Sequence, residues 1–113
     1  MQIENKRQIE NEESKLTIFL NKLNISPSLA FKVFSLLYGK HSSWVEIDDS
    51  NTLQLLPIPP CNCLKSTENR LFANKMAFSV ACSRIMDPNI CKELMQEFSA
   101  LLLLKKFFED SPN

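Results

Sequence analysis

A chain of 113 residues, 44% hydrophobic and 23% charged, has the make-up of one globular domain. Thirteen basic residues balance thirteen acidic ones, which argues against non-specific nucleic-acid binding and against a polybasic membrane anchor, since both depend on summed positive charge. The longest apolar run, Ala100 to Leu104, is far short of the roughly 20 residues that span a bilayer, so no membrane insertion is expected. The polar stretch Met1 to Ser14 has no signal-like apolar run, and a cytoplasmic protein is the expectation.

Residues 1–13 read as a polar lead-in, and 14–113 as a single α+β domain. From Ser14 to Leu23, Leu16, Phe19, Leu20 and Leu23 lie at helical spacing, and Asn24 ends that helix. Ser26-Pro27 starts a second helix, because a serine can cap and a proline at the first position gives up only an orphan N–H. It carries Leu29, Ala30, Val33, Phe34, Leu36 and Leu37 and stops at Gly39, the only glycine in the chain, which suits a left-handed end position. A hairpin follows: Trp44 to Ile47 alternates, Asp48 to Asn51 supplies the turn, and Thr52 to Leu55 alternates again. Val45, Ile47, Leu53 and Leu55 share one face. Pro57, Pro59 and Pro60 force an extended path, and Cys61 to Asn69 reads as a polar connection.

Residues 71–86 can be read two ways. Their Ala, Met and Lys favour helix, with Thr67 able to cap one, but Met76, Phe78, Val80 and Cys82 alternate with smaller residues at strand spacing. The period-2 separation decides for strand. Asp87-Pro88 then starts a long C-terminal helix, and Ser111-Pro112 stops it. The predicted fold is therefore α+β: two N-terminal helices, a hairpin plus a further strand, and a long amphipathic helix.

That last helix is too apolar for one core-facing stripe. Ile90, Leu94, Phe98, Leu101 and Phe108, widened by Cys91, Met95 and Leu102, form a main stripe. At about 100° per residue, Ala100, Leu103, Leu104 and Phe107 form a second set on another side. Two apolar faces imply two contacts, so this second set is the expected interface with a partner or a second copy. Phe31, which faces away from the main stripe of the second helix, and Trp44, the only tryptophan, are the candidates for client contact.

No constellation supports catalysis. Cys61 and Cys63 form a close pair, but a tetrahedral zinc site needs four ligands, and Cys82, Cys91 and the single His41 do not complete one. In a reducing compartment Cys82 and Cys91 read as small buried hydrophobes. His41-Ser42-Ser43 places a base beside hydroxyls without a third group to orient it. Glu46, Asp48 and Asp49 read as hairpin-turn residues, and one glycine cannot make a phosphate loop. No cofactor, metal or enzymatic activity is expected.

Val45-Glu46-Ile47-Asp48-Asp49 through Leu53-Gln54-Leu55-Leu56-Pro57, then Met76-Ala77-Phe78-Ser79-Val80 leading into Asp87-Pro88 and the Leu-rich helix, resembles the pattern of small type III secretion chaperones. The resemblance implies an α+β homodimer that holds an extended segment of a secreted protein. The expected function is thus a non-enzymatic protein-binding adaptor, homodimeric or heterodimeric, that holds a client on an apolar surface. The alternative is a small DNA-binding regulator of winged-helix type, with the hairpin as wing. Lys32, the only internal basic residue of the second helix, gives that alternative little phosphate footprint.

Overall fold

The computed structural model of the chain describes residues 13–39, 59–81 and 88–110 in full, and the backbone of 43–47 and 53–57. Residues 13–22 are helical (α1). Helix α2 spans Pro27–Tyr38, strands β1 and β2 span Ser43–Ile47 and Leu53–Pro57, α3 spans Leu64–Val80, and α4 spans Pro88–Asp110.

The first two helices end where local chemistry ends them. Asn24 takes a left-handed conformation, with φ at 56°. Its N–H donates to the Asn21 carbonyl (3.1 Å), and the Ile25 N–H reaches back to Leu20 (3.3 Å). This paired arrangement satisfies carbonyls that the last turn would otherwise leave open. Ser26 caps α2 by accepting the Leu29 N–H (3.4 Å), with Pro27 as the first helical residue. Gly39 closes α2 in the left-handed region (φ 69°, ψ 30°), its N–H donating to Ser35. The Tyr38 hydroxyl donates to the Glu13 carboxylate and ties the end of α2 to α1. Burial, then that carboxylate, pushes the tyrosine up to about 12.

The hairpin pairs in antiparallel register, Val45 opposite Leu55 and Ile47 opposite Leu53, so the four residues read as one face do lie opposite one another along the backbone. After β2 the chain returns to α2, where the Cys61 N–H donates to the Leu36 carbonyl (2.8 Å).

Leu64–Val80, read as connection and strand, is helix. Cys63 caps α3: its sulfur accepts the Ser66 N–H (3.5 Å), and the Ser66 hydroxyl accepts the Cys63 N–H (3.2 Å), a reciprocal box that satisfies two orphan donors. The cap lies four residues ahead of Thr67, whose hydroxyl instead donates to the Cys63 carbonyl (2.8 Å). Two forces override the alternation from Met76 to Cys82. Leu, Lys, Glu, Arg, Ala and Met give the stretch strong helix preference. The side chains that α3 buries, Thr67, Arg70, Leu71, Asn74 and Ala77, recur at three- and four-residue intervals.

The expected α+β class is corrected accordingly. Every described element with described side chains is helical, and four helices build the packed body. The hairpin is a two-stranded ribbon lying beside α3, not a sheet that backs the helices, and among the described residues it has no third strand. The main core joins Leu16 and Leu20 of α1, Val33, Leu36 and Leu37 of α2, Cys61, Leu71 of α3, and Ala100, Leu101, Leu104 and Phe107 of α4. A smaller cluster of Ala77, Ala81 and Leu94 closes the far end of the α3–α4 pair. Asp87 and Ser111-Pro112 lie outside the described residues, although α4 does begin at Pro88 and end at Asp110.

Gly39 and Asn24 generate a paired test. Gly39→Val forces a β-branched side chain into left-handed backbone and should cost more than about 1 kcal/mol, whereas Gly39→Asn should cost less, since the chain already uses asparagine in that conformation at position 24. Thermal or urea unfolding of the two variants measures the difference, and equal losses would contradict the assigned helix end.

Candidate functional site

Two features stand out among the described residues: a buried polar cluster inside the helix bundle and an apolar groove on its outside. The cluster centres on Glu97 of α4, which is 2% exposed. Asn74 of α3 donates through Nδ2 to the Leu94 carbonyl (3.2 Å) and to Glu97 Oε1 (3.5 Å). Lys32 of α2 and Arg70 of α3 are also buried. Burial raises the Glu97 carboxyl above the usual range, while the charges of Lys32 and Arg70 and the Asn74 hydrogen bond pull it back and Glu93 adds a smaller upward push. Cys61 borders the cluster: burial pushes its thiol up to about 11 against the opposing influence of Arg70. A buried thiol held in its neutral form is a poor nucleophile. Cys63 differs, because donors from Ser66 hold its exposed thiol below the ordinary value, but that sulfur is occupied as a helix cap.

The groove runs between α3 and α4, about 360 Å³ in volume, lined by Asn74, Lys75, Phe78, Met95, Phe98 and Ser99. It exists because the two helices pack through a narrow seam. Asn74, Ala77 and Ala81 of α3 meet Leu94 and Glu97 of α4, and Lys105 reaches Glu68 (3.9 Å) across the same pair. Asn74, Ala77 and Ala81 are small at the seam, so the bulkier Phe78, Met95 and Phe98 stand at its edge. Along α4 the sequence Cys91, Met95, Phe98 and Leu102 continues this edge at helical spacing, with Met95 at 59% and Leu102 at 46% exposure. Two of the groove's polar groups are already engaged: Asn74 is bound to Glu97, and the Ser99 hydroxyl donates to its own helix at Met95 (3.2 Å).

No protein-family model, curated protein or solved structure matches this chain. The reading of its surfaces therefore rests on the residues themselves.

The second set expected to be an interface on α4 lies inside the chain's own core. Ala100, Leu104 and Phe107, assigned to a partner interface, are buried in the chain's own core, and Leu103 packs partly against it. Phe107 stacks at a tilt on Phe19 of α1 (5.5 Å between centroids) and on Phe108 (5.3 Å). That contact is the physical reason for the correction, since α1 covers the face that the sequence left open. Leu94 and Leu101 of the main stripe do turn inward, but Met95 and Leu102, taken as its widening, face out. Phe31 is exposed at 60%, as expected from its place on α2. Trp44 lies on β1 opposite Leu56, its side chain outside the described residues. Lys40, His41, Asp48, Asp49 and Cys82 also lie outside them. Among the described residues, no group of three or more His, Cys, Asp or Glu side chains is gathered as for a metal. No described helix is long and apolar enough to cross a membrane.

Sequence reasoning missed Glu97, Asn74, Arg70 and Lys75 altogether. The signal available was a helix α3 whose regularly spaced residues are polar, a pattern that a search for apolar periodicity passes over.

Two predictions follow from this packing. Phe107→Glu places a charge in the α1–α4 core and should abolish the cooperative thermal transition seen by far-UV circular dichroism, instead of converting a dimer to monomers; even Phe107→Ala should cost about 3–5 kcal/mol. For Glu97, the folded state holds the proton more tightly than the unfolded chain. Its contribution to stability is therefore complete below the ordinary value of about 4.5 and is lost as pH rises through the raised value. Glu97→Gln, which keeps an oxygen acceptor for Asn74, should remove that fall from urea-unfolding curves recorded across mildly acid pH. Glu97→Lys joins a third cation to Lys32 and Arg70 and should cost at least about 3–5 kcal/mol.

Proposed function

We propose that this chain is a non-enzymatic protein-binding module, a small helical bundle that presents the α3–α4 edge to a partner protein. The observation that carries the reading is the pair of exposed side chains Met95 and Leu102, flanking the half-buried Phe98 beside a preformed apolar groove. Large side chains at helical spacing are normally withdrawn into a core, and a contiguous apolar strip left beside a concave seam is the usual mark of an interaction surface. Met95 favours this reading further, because a flexible thioether adapts to a partner's shape.

The adaptor function read from the sequence is kept here in its general form. Its secretion-chaperone version leaned on a strand at Met76–Val80, which is helical. Homodimerisation through Ala100, Leu104 and Phe107 is replaced by contact through the α3–α4 edge. The DNA-binding alternative loses support from α2, because Lys32 is buried beside Glu97.

If the edge serves binding and not folding, Met95→Glu with Leu102→Glu should leave stability within about 0.5 kcal/mol of the parent chain. A photo-crosslinking residue placed at Met95 in the producing cells should trap protein, whereas one at Asn69, exposed elsewhere on α3, should not. Crosslinks of equal yield at both positions, or a double variant that unfolds, would overturn the reading.

A further inference from the structure

Resting on that reading, we infer that the occupant of the α3–α4 groove is a single amphipathic helix of a partner protein, with acidic residues beside its apolar stripe. Four observations select it.

The first is size. A groove of about 360 Å³ admits a few large side chains and lies at the lower end of ligand-site volumes. A stable dimer buries about 800 Å² on each partner, and the apolar side chains along this edge offer roughly half of that or less. A second copy of the chain would need contacts well beyond this edge, whereas one helix needs only anchors at i, i+3 or i+4, and i+7.

The second is shape. Among the described residues the groove is bounded by two packed helices, α3 and α4. Such a seam receives the ridge of a third helix. The third is the lack of convergent polar handles for a small molecule, since Lys75 is the one charged group of the lining among the described residues. Asn74 is bound to Glu97 and the Ser99 hydroxyl to the Met95 carbonyl, yet small-molecule sites depend on a few convergent polar groups for orientation.

The fourth is charge. Among the described residues the lining contains one ionisable residue, Lys75, and no carboxylate. Lys106 is exposed one helical turn beyond Leu102 on the outward side of α4. Glu68, the nearby acid on α3, is paired with Lys105 (3.9 Å). A partner with Asp or Glu flanking its stripe meets a complementary field, and one with Lys or Arg is repelled.

The test is selection of a displayed library of helical peptides, randomised at surface positions, against the full chain. Enriched peptides should carry an apolar i, i+3, i+4, i+7 stripe flanked by Asp or Glu. Each should lose at least tenfold in affinity against Met95→Glu, and Lys75→Glu should turn the enriched flank basic. Enrichment of proline-rich or extended sequences, of stripes with no charge preference, or of peptides indifferent to Met95→Glu would overturn the inference. So would a chain that dimerises in light scattering through a contact abolished by Met95→Glu, which would give the groove to a second copy. Crosslinking at Met95 separates the two levels. Protein crosslinks without helical selection would leave the binding module standing and remove the helix, and absence of both would remove both.

Discussion

A carboxylate withdrawn from water must be met by donors and opposite charge, and Glu97 sets that requirement at the centre of the bundle. Helix α2 answers with Lys32, and α3 answers with Arg70 and Asn74. The three helices thus have one relative arrangement that brings this group together, and breaking such a cluster is far more costly than never having built it. The requirement has a consequence for α3. Its inward positions are spent on Thr67, Arg70 and Asn74, so part of its apolar content is left on the outside, with Phe72 and Met76 exposed.

That inversion explains where the sequence could and could not be read. Helix ends written in single residues were legible: Asn24, the Ser26-Pro27 start, Gly39 and Pro88 each act through a local hydrogen bond or a fixed φ, and tertiary packing does not change them. Helix α3 was not. Apolar periodicity assumes that buried means hydrophobic, and here Arg70 and Asn74 are buried while Met76 is exposed. The short alternation of large and small residues from Met76 to Cys82 then stood in for a signal that the buried positions had erased.

Helix α4 illustrates a subtler limit. Its excess width was a true sign that one face did not belong to the core, but the sequence could not say which. Ala100, Leu104 and Phe107 became core because α1 brings Phe19 against Phe107, a contact between residues 88 positions apart that no local window contains. With those residues inside, Met95 and Leu102 were the apolar side chains left over. The candidate site was therefore visible as a surplus and hidden in its location. The core face and the exposed Met95 and Leu102 lie on opposite sides of one helix, so substitutions can address one without the other.

The cap at Gly39 and the backbone bond from Cys61 to Leu36 both land on the last turns of α2. The chain between them, hairpin included, departs from and comes back to nearly the same place. In topological terms it is an insertion: the end of α2 and the Cys61 segment that leads into α3 are joined by that backbone bond. Closing a longer loop between fixed ends adds little entropy cost. The hairpin is thus the part of this molecule whose length and sequence can drift furthest without moving the bundle, and the natural place to look for a feature acquired after the bundle itself.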